Sequence, residues 1–191
     1  MKLTPLAFAL SLAACAASPP AEHDFTLSVE APAEPLHAMP NVAIAVGAAR
    51  VPEMYDRPQL LVRASDNRVR LLEQERWAEP LKSAIPRVVA ADLGRLLGTA
   101  RTTSYPAAEA RDTGFRVTLD VQRFDATPGQ GADVDVGWHV HRLPGGPLRD
   151  GRTTAHEAAS GDYEALVAAK SRALATVSRD IAQAIVQMQE R

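Results

Sequence analysis

Few residues in this chain have chemistry to offer, and the first is its only cysteine. Cys15 ends the stretch Leu12-Ala13-Ala14-Cys15. A branched apolar residue, two small ones and a cysteine make the lipobox of a bacterial export signal. Small side chains let the chain enter a signal peptidase extended, and the thiol accepts diacylglycerol before cleavage. Cleavage then frees the Cys15 amine for a further acyl chain, and two or more chains hold a protein to a bilayer where one does so only marginally. Ala14-Cys15-Ala16 also fits the small-x-small pattern of an ordinary secretory signal. The second constellation is Asp133, Asp135, His139 and His141, which strand alternation aims at one face. His139 and His141 stand about 6.5 Å apart along such a face, a spacing zinc ligands use. His156 or a carboxylate on the next strand could complete a metal-dependent enzyme site. The other reading of these residues is the wet face of a one-sided antiparallel sheet.

Other chemistries lack their signatures. No Gly-x-Ser-x-Gly elbow or HExxH is present, Gly94 to Gly98 lacks the lysine of a phosphate loop, and Gly129-Gln130-Gly131 lacks the third glycine of a dinucleotide fingerprint. No catalytic residue is therefore assigned. No cofactor is expected beyond the covalent lipid on Cys15. Lys and Arg total 21 against 23 Asp and Glu, a net charge of -2, so nothing supplies the basic surface that nucleic acid requires. One cysteine permits neither an intrachain disulfide nor a multi-cysteine metal site.

The elements that must position these residues are legible from periodicity. Phe25 to Val29 and Asn41 to Val51 alternate as strands, and Leu60 to Ala64 and Val69 to Leu72 flank the turn Ser65-Asp66-Asn67-Arg68 as a hairpin. From Pro80 to Leu97 apolar residues recur every three or four positions, predicting a helix stopped by Gly98 and regular from near Ile85, because Pro86 falls in its first turns. Phe115 to Gln122, Val134 to Val140 and Arg152 to Glu157 return to period two, with turns at Pro128-Gly129 and Pro144 to Pro147: an antiparallel meander. Asp162 to Gln189 reads as a long helix capped by Ser160, Gly161 or Asp162. Its apolar stripe packs on the sheet or, alternatively, pairs with a second copy in a homo-oligomer. The expectation is one α+β domain: a mixed, largely antiparallel sheet of about six or seven strands with two helices on one face. Residues 1–14 read as a signal peptide, 15–24 as a lipidated tether reaching about 25 Å, and 25–191 as the domain. Ala16 stands where Asp retains many Gram-negative lipoproteins in the inner membrane, which favours the outer membrane.

The stretch Tyr55-Asp56-Arg57-Pro58-Gln59-Leu60, followed by Arg63, Asn67-Arg68, Glu75-Arg76-Trp77-Ala78-Glu79-Pro80-Leu81 and Ile85-Pro86-Arg87-Val88, is more specific than its periodicity. It resembles the ABC-type transport auxiliary lipoproteins, the PqiC-like family. The lipobox, the early strand and the long last helix fall in corresponding places, and Met54-Tyr55 departs from the family's usual tyrosine-leucine order. The resemblance implies an ABC-type transport auxiliary domain that is a non-enzymatic component of the cell envelope. It also implies partners: an inner-membrane ABC ATPase and permease, and a periplasmic MCE-domain protein that carries lipid or another organic solute between membranes. Within it, Tyr55, Arg57 and Trp77 would belong to a surface recognised by another subunit, since aromatic and Arg anchors concentrate binding energy. Their structural reading is a packing tyrosine, a rigid Arg-Pro turn and a tryptophan covering the helix start.

Overall fold

The computed structural model describes residues 21–110 and 114–190. Cys15, the signal peptide and most of the tether lie outside them. In chain order the elements are β1 (His23–Phe25), β2 (Ile44–Arg50), β3 (Gln59–Ser65), β4 (Arg68–Trp77), α1 (Leu81–Leu96), β5 (Thr102–Ser104), a 3-10 turn (Ala107–Ala110), β6 (Gly114–Thr127), β7 (Gly131–Leu143), β8 (Leu148–Ala158) and α2 (Tyr163–Gln189). The α+β class and the two long helices are as the sequence predicts. Among the described residues, however, the strands number eight and form two sheets, in the orders β1-β4-β3 and β5-β2-β6-β7-β8. Alternation reveals a strand but not its neighbour, so the division into two sheets was invisible to it.

In the larger sheet β6, β7 and β8 form the expected meander, while β2 runs parallel to both β5 and β6. Phe115, Val117, Leu119 and Val121 of β6 and Val134, Val136, Trp138 and Val140 of β7 are all buried in the core shared with α1 and α2. Both helices pack on this sheet and on each other. The apolar stripe of α2, from Leu166 to Met188, is thus covered within the chain. Trp138 fits because its neighbour on β8 is a glycine: a Cβ on Gly151 would lie 2.1 Å from the indole ring. The opposite face of β7 and β8 is wet, as its alternation demands.

The helix ends follow their local chemistry. Asp162 caps α2 by accepting the Ala165 N–H at 3.0 Å. Gly98 closes α1 at φ 58°, with its N–H on the Arg95 carbonyl and the Thr99 N–H on that of Gly94. These are the two bonds of a Schellman motif, which needs a residue that tolerates positive φ. At its start α1 differs from expectation. The N–H groups of Ser83 and Ala84 both reach the Pro80 carbonyl, so the helix begins at Leu81 and carries Pro86 inside it. That proline removes only the donor to the carbonyl of the exposed Lys82, a tolerable loss so near the helix start.

Residues 26–31 also correct the sequence reading. Leu27 and Ala31 are buried and Val29 partly so, an alternation like a strand's, yet only His23–Phe25 pairs in a sheet. The rest crosses α1 and α2, and helix side chains satisfy its backbone. Ser171 Oγ accepts the Ser28 N–H, Asp92 accepts the Ala31 N–H, and Arg87 and Arg95 donate to the carbonyls of Leu27, Val29 and Ala31.

Candidate functional site

The loop from Pro52 to Pro58, the end of β4 and the start of α1 meet at one corner. Tyr55 and Asp56 turn back on the Pro52 carbonyl, the Arg57 N–H bonds the Tyr55 carbonyl, and the Trp77 N–H bonds that of Pro58 at 2.7 Å. Between them lies a shallow cleft of about 280 Å³, lined by Asp56, Arg57, Pro58, Trp77, Ala78, Glu79, Pro80 and Lys82. Its floor is proline, alanine and the tryptophan edge; its rim is charged. Lys82 faces Asp56 at 3.9 Å, and Glu79 is held by Arg87 at 2.6 Å. The exposed guanidinium of Arg57 has no hydrogen-bond or ion-pair partner among the described residues.

Of the three residues read as a recognition surface, the structure brings Arg57 and Trp77 to this cleft and places Tyr55 behind it. Tyr55 is 5% exposed, and its hydroxyl donates to Oδ1 of the fully buried Asp125 at 2.8 Å. Asp125 Oδ2 accepts Arg63 and Arg123 at 2.8 and 2.7 Å. Burial would push this carboxyl up, but the Arg123, Tyr55 and Arg63 donors outweigh it and hold the group below 3.8. Burial and the same carboxylate push the Tyr55 hydroxyl above its ordinary 10.0. Trp77, 7% exposed, stands with its ring centroid 6.4 Å from that of Phe124. The ammonium of Lys170 sits 5.4 Å from the Trp77 centroid and 4.6 Å from that of Phe124. Rings this close attract a cation, yet burial pushes Lys170 down from 10.5 to about 7.

Asp125, Arg63 and Lys170 were not singled out as a cluster from sequence, although each leaves a trace. The apolar positions of β6 are odd-numbered to Val121 and even-numbered from Phe124, which announces the bulge seen between Val121 and Arg123. After it Asp125 points away from the helices, into the cover of β3 and Tyr55. Lys170 lies in the apolar stripe of α2, between Val167 and Leu174 at helical spacing.

Of the three histidines, His139 and His156 go to separate cross-strand pairs. His139 Nδ1 lies 2.5 Å from Asp150 and His156 Nδ1 2.9 Å from Asp133, while Arg152 binds Asp135 through both oxygens. Asp135 is held below 3.8 mainly by that Arg152 bond. His141 faces Arg116 and Leu148 in register. Among the described residues no three His, Cys, Asp or Glu side chains stand close enough to hold a metal ion. The face carries a ladder of exposed His–Asp and Arg–Asp pairs, the polar cover of a one-sided sheet.

Comparison with known proteins agrees with this architecture. A crystal structure of an uncharacterised protein superposes with a TM-score of 0.71 at 16% identity, covering 87% of this chain and 99% of the other. A protein of Xanthomonas campestris superposes at 0.68 with 18% identity, covering 88% and 97%. Identities this low establish a common fold. No curated protein matches the sequence. The family model of the ABC-type transport auxiliary lipoprotein component matches residues 25–182, which include both sheets, the cleft and most of α2. The chain belongs to that family of ABC-type transport auxiliary lipoproteins.

Proposed function

We propose that the protein is held by lipid on Cys15 to the periplasmic face of the outer membrane and serves an ABC-type system that moves lipid or a similar organic solute between membranes. It acts by docking rather than catalysis. Its partners are an MCE-domain protein reaching across the periplasm and, through it, an inner-membrane ATPase and permease. The observation that carries the reading is the family match over residues 25–182, joined to the lipobox that ends at Cys15. The cleft supports it. Arg57 offers an unspent guanidinium beside an apolar lining, whereas the arginines at buried Asp125 are spent on its carboxylate. Anchoring confines the domain to a thin layer, so a weak interface suffices at the resulting effective concentration.

Arg57→Glu is the probe, because Arg57 is exposed and its loss leaves the interior intact. Tyr55 is unsuitable, since truncating it strips a donor from buried Asp125. Crosslinking in intact envelopes, followed by identification of the partners, is the measurement. The wild type is expected to capture an MCE-domain protein, and Arg57→Glu to reduce that recovery at least severalfold with an unchanged melting temperature. Equal recovery removes Arg57 from the interface; capture without any transport component overturns the assignment. Membrane extraction tests the anchor separately: Cys15→Ser is expected to abolish acylation, read by mass spectrometry of the N-terminus, and to release the chain from the bilayer.

A further inference from the structure

The pairing of β1 fixes which end of the domain is tied to the anchor. His23, Asp24 and Phe25 lie beside Glu75, Arg76 and Trp77 in parallel register. The upstream end of β1 therefore points back along β4, away from the cleft at Trp77 and toward the hairpin turn before Arg68. Along that part of β4, Val69 and Leu71 are 41% and 36% exposed. Two residues apart on a strand, they share a face. No other two of the large exposed apolar side chains, Leu36, Met54, Tyr105 and Leu148, share a strand among the described residues. Arg68 and Arg70 are exposed beside them. Arg68 has no partner among the described residues, and Arg70 bonds only the neutral hydroxyl of Tyr163. Acidic residues nearby are Asp66 in the turn, Glu73, which takes a bond from Gln59, and Asp162 and Glu164 on either side of Tyr163.

Covalent reach permits this hairpin to meet the bilayer. Eight residue steps separate Cys15 from His23, a span of at most about 28 Å. Val69 lies six residues before Glu75 on β4, about 20 Å along the strand in the direction of the anchor. With acylated Cys15 in the membrane, the hairpin end is within reach of its surface. Resting on the lipid-anchor reading above, we infer that the β3–β4 hairpin is a second, non-covalent membrane contact. Val69 and Leu71 enter the boundary between headgroups and acyl chains, and Arg68 and Arg70 meet the lipid phosphates. A hairpin meeting a bilayer end-on presents both faces, so apolar and basic side chains on opposite faces act together, the arginines extending to the polar layer. The orientation this imposes leaves the cleft at the other end of β4, facing the periplasm.

The test uses the full, lipidated chain in vesicles of phosphatidylethanolamine and phosphatidylglycerol. Acylation occupies the Cys15 thiol, so single cysteines at Val69→Cys, Leu71→Cys and Leu148→Cys take an environment-sensitive dye. Leu148 is the control: it is 60% exposed and packs beside Met188 at the C-terminal end of α2, whereas the hairpin touches Leu166 and Tyr163 at its start. The dye at positions 69 and 71 is expected to shift to the blue and to be quenched at least twofold more by a bilayer-embedded quencher than at 148. Water-like emission at all three positions, with acylation of Cys15 verified by mass, overturns the inference and leaves the anchor standing. A blue shift that ignores the lipid quencher and grows with protein concentration also overturns it, because another copy of the chain then covers the hairpin. An unmodified Cys15 in the mass spectrum fails the anchor reading itself, and the membrane contact falls with it.

Discussion

Asp92 and Asp125 are the same residue, both without exposed surface, in two seams of one molecule. Asp92 sits between α1, α2 and the crossing segment 26–31, and receives only neutral donors: the Ala31 N–H at 2.9 Å and the Ser178 hydroxyl at 3.1 Å. Burial wins there, and its pKa lies above 3.8 despite those bonds, the Glu30 backbone and the more distant charge of Arg95. Asp125 sits where β3 and Tyr55 cover β6, between two guanidinium groups. Donors win there, and its pKa lies below 3.8. Burial of a carboxylate thus has no fixed sign for stability. What decides it is whether full charges or dipoles replace the lost water.

The largest expected effect is at Asp125. Asp125→Asn would keep the shape and, with its amide oxygen turned to the arginines and its NH2 to the Tyr55 oxygen, an acceptor at the same place, but it removes the negative charge that two guanidinium groups share. Removing one member of a buried ionic cluster costs about 3–5 kcal/mol, so the expected loss is about 3 kcal/mol, read by chemical unfolding. The sign with pH follows. The depressed folded pKa gives stability that is present above 3.8 and lost as pH falls through the folded value. The wild type should weaken below that point and the variant should lack this slope. An unchanged midpoint in Asp125→Asn would make the two carboxylates equivalent and end the contrast.

Lys170 sharpens the comparison, because it is a buried charge near Asp125 without a hydrogen-bonded counterion among the described residues. Its folded value of about 7 against 10.5 means that it lends stability at high pH which is lost as pH falls from 10.5 toward 7. Lys170→Met leaves an unbranched side chain one heavy atom shorter and removes the charge beside Trp77 and Phe124. Replacing a poorly compensated buried ion by an apolar residue stabilises by about 1–4 kcal/mol. The variant should gain toward the lower end of that range at neutral pH, since two aromatic rings already return part of the cost. It should also lose the alkaline rise in stability. A melting temperature below the wild type would mean that the cation holds the β4 sheet against α2 more strongly than burial penalises it.

Much of this was legible beforehand, and the boundary has a physical cause. The helices of Pro80 to Leu97 and Asp162 to Gln189 and the meander after Phe115 are local patterns, since each residue's face follows from its neighbours in sequence. The lipobox and the Tyr55 to Leu81 motif are local in the same sense. Pairing is not local. Nothing in the alternation of Phe25 to Val29 says that helices rather than a strand cover it, and nothing in Tyr55 alone says that its hydroxyl meets Asp125, 70 residues away. The site was therefore half legible. Arg57 and Trp77 reach one cleft, while Tyr55 serves the interior that supports it.

The smallest effect is expected at Asp92, with the opposite sign to its counterpart. The Ser178 hydroxyl lies within bonding distance of both Asp92 Oδ2 and the Leu174 carbonyl, at 3.1 and 3.0 Å, and it has one proton for two acceptors. In Asp92→Asn that conflict disappears. The amide oxygen keeps the Ala31 N–H, the amide nitrogen donates to Ser178 Oγ, and Ser178 gives its proton to Leu174. Folded Asp92 favours its protonated form, so its contribution is fully present below 3.8 and is lost as pH rises through its folded value. Asparagine imitates the protonated form at every pH. Asp92→Asn should therefore leave stability in acid unchanged and raise it at neutral pH by up to about 1 kcal/mol, the net worth of one hydrogen bond. Parallel unfolding curves at acid and neutral pH would read the difference. If Asp92→Asn loses stability as Asp125→Asn does, the ionised carboxylate is what ties segment 26–31 to the helices, and dipoles alone suffice to hold a buried charge.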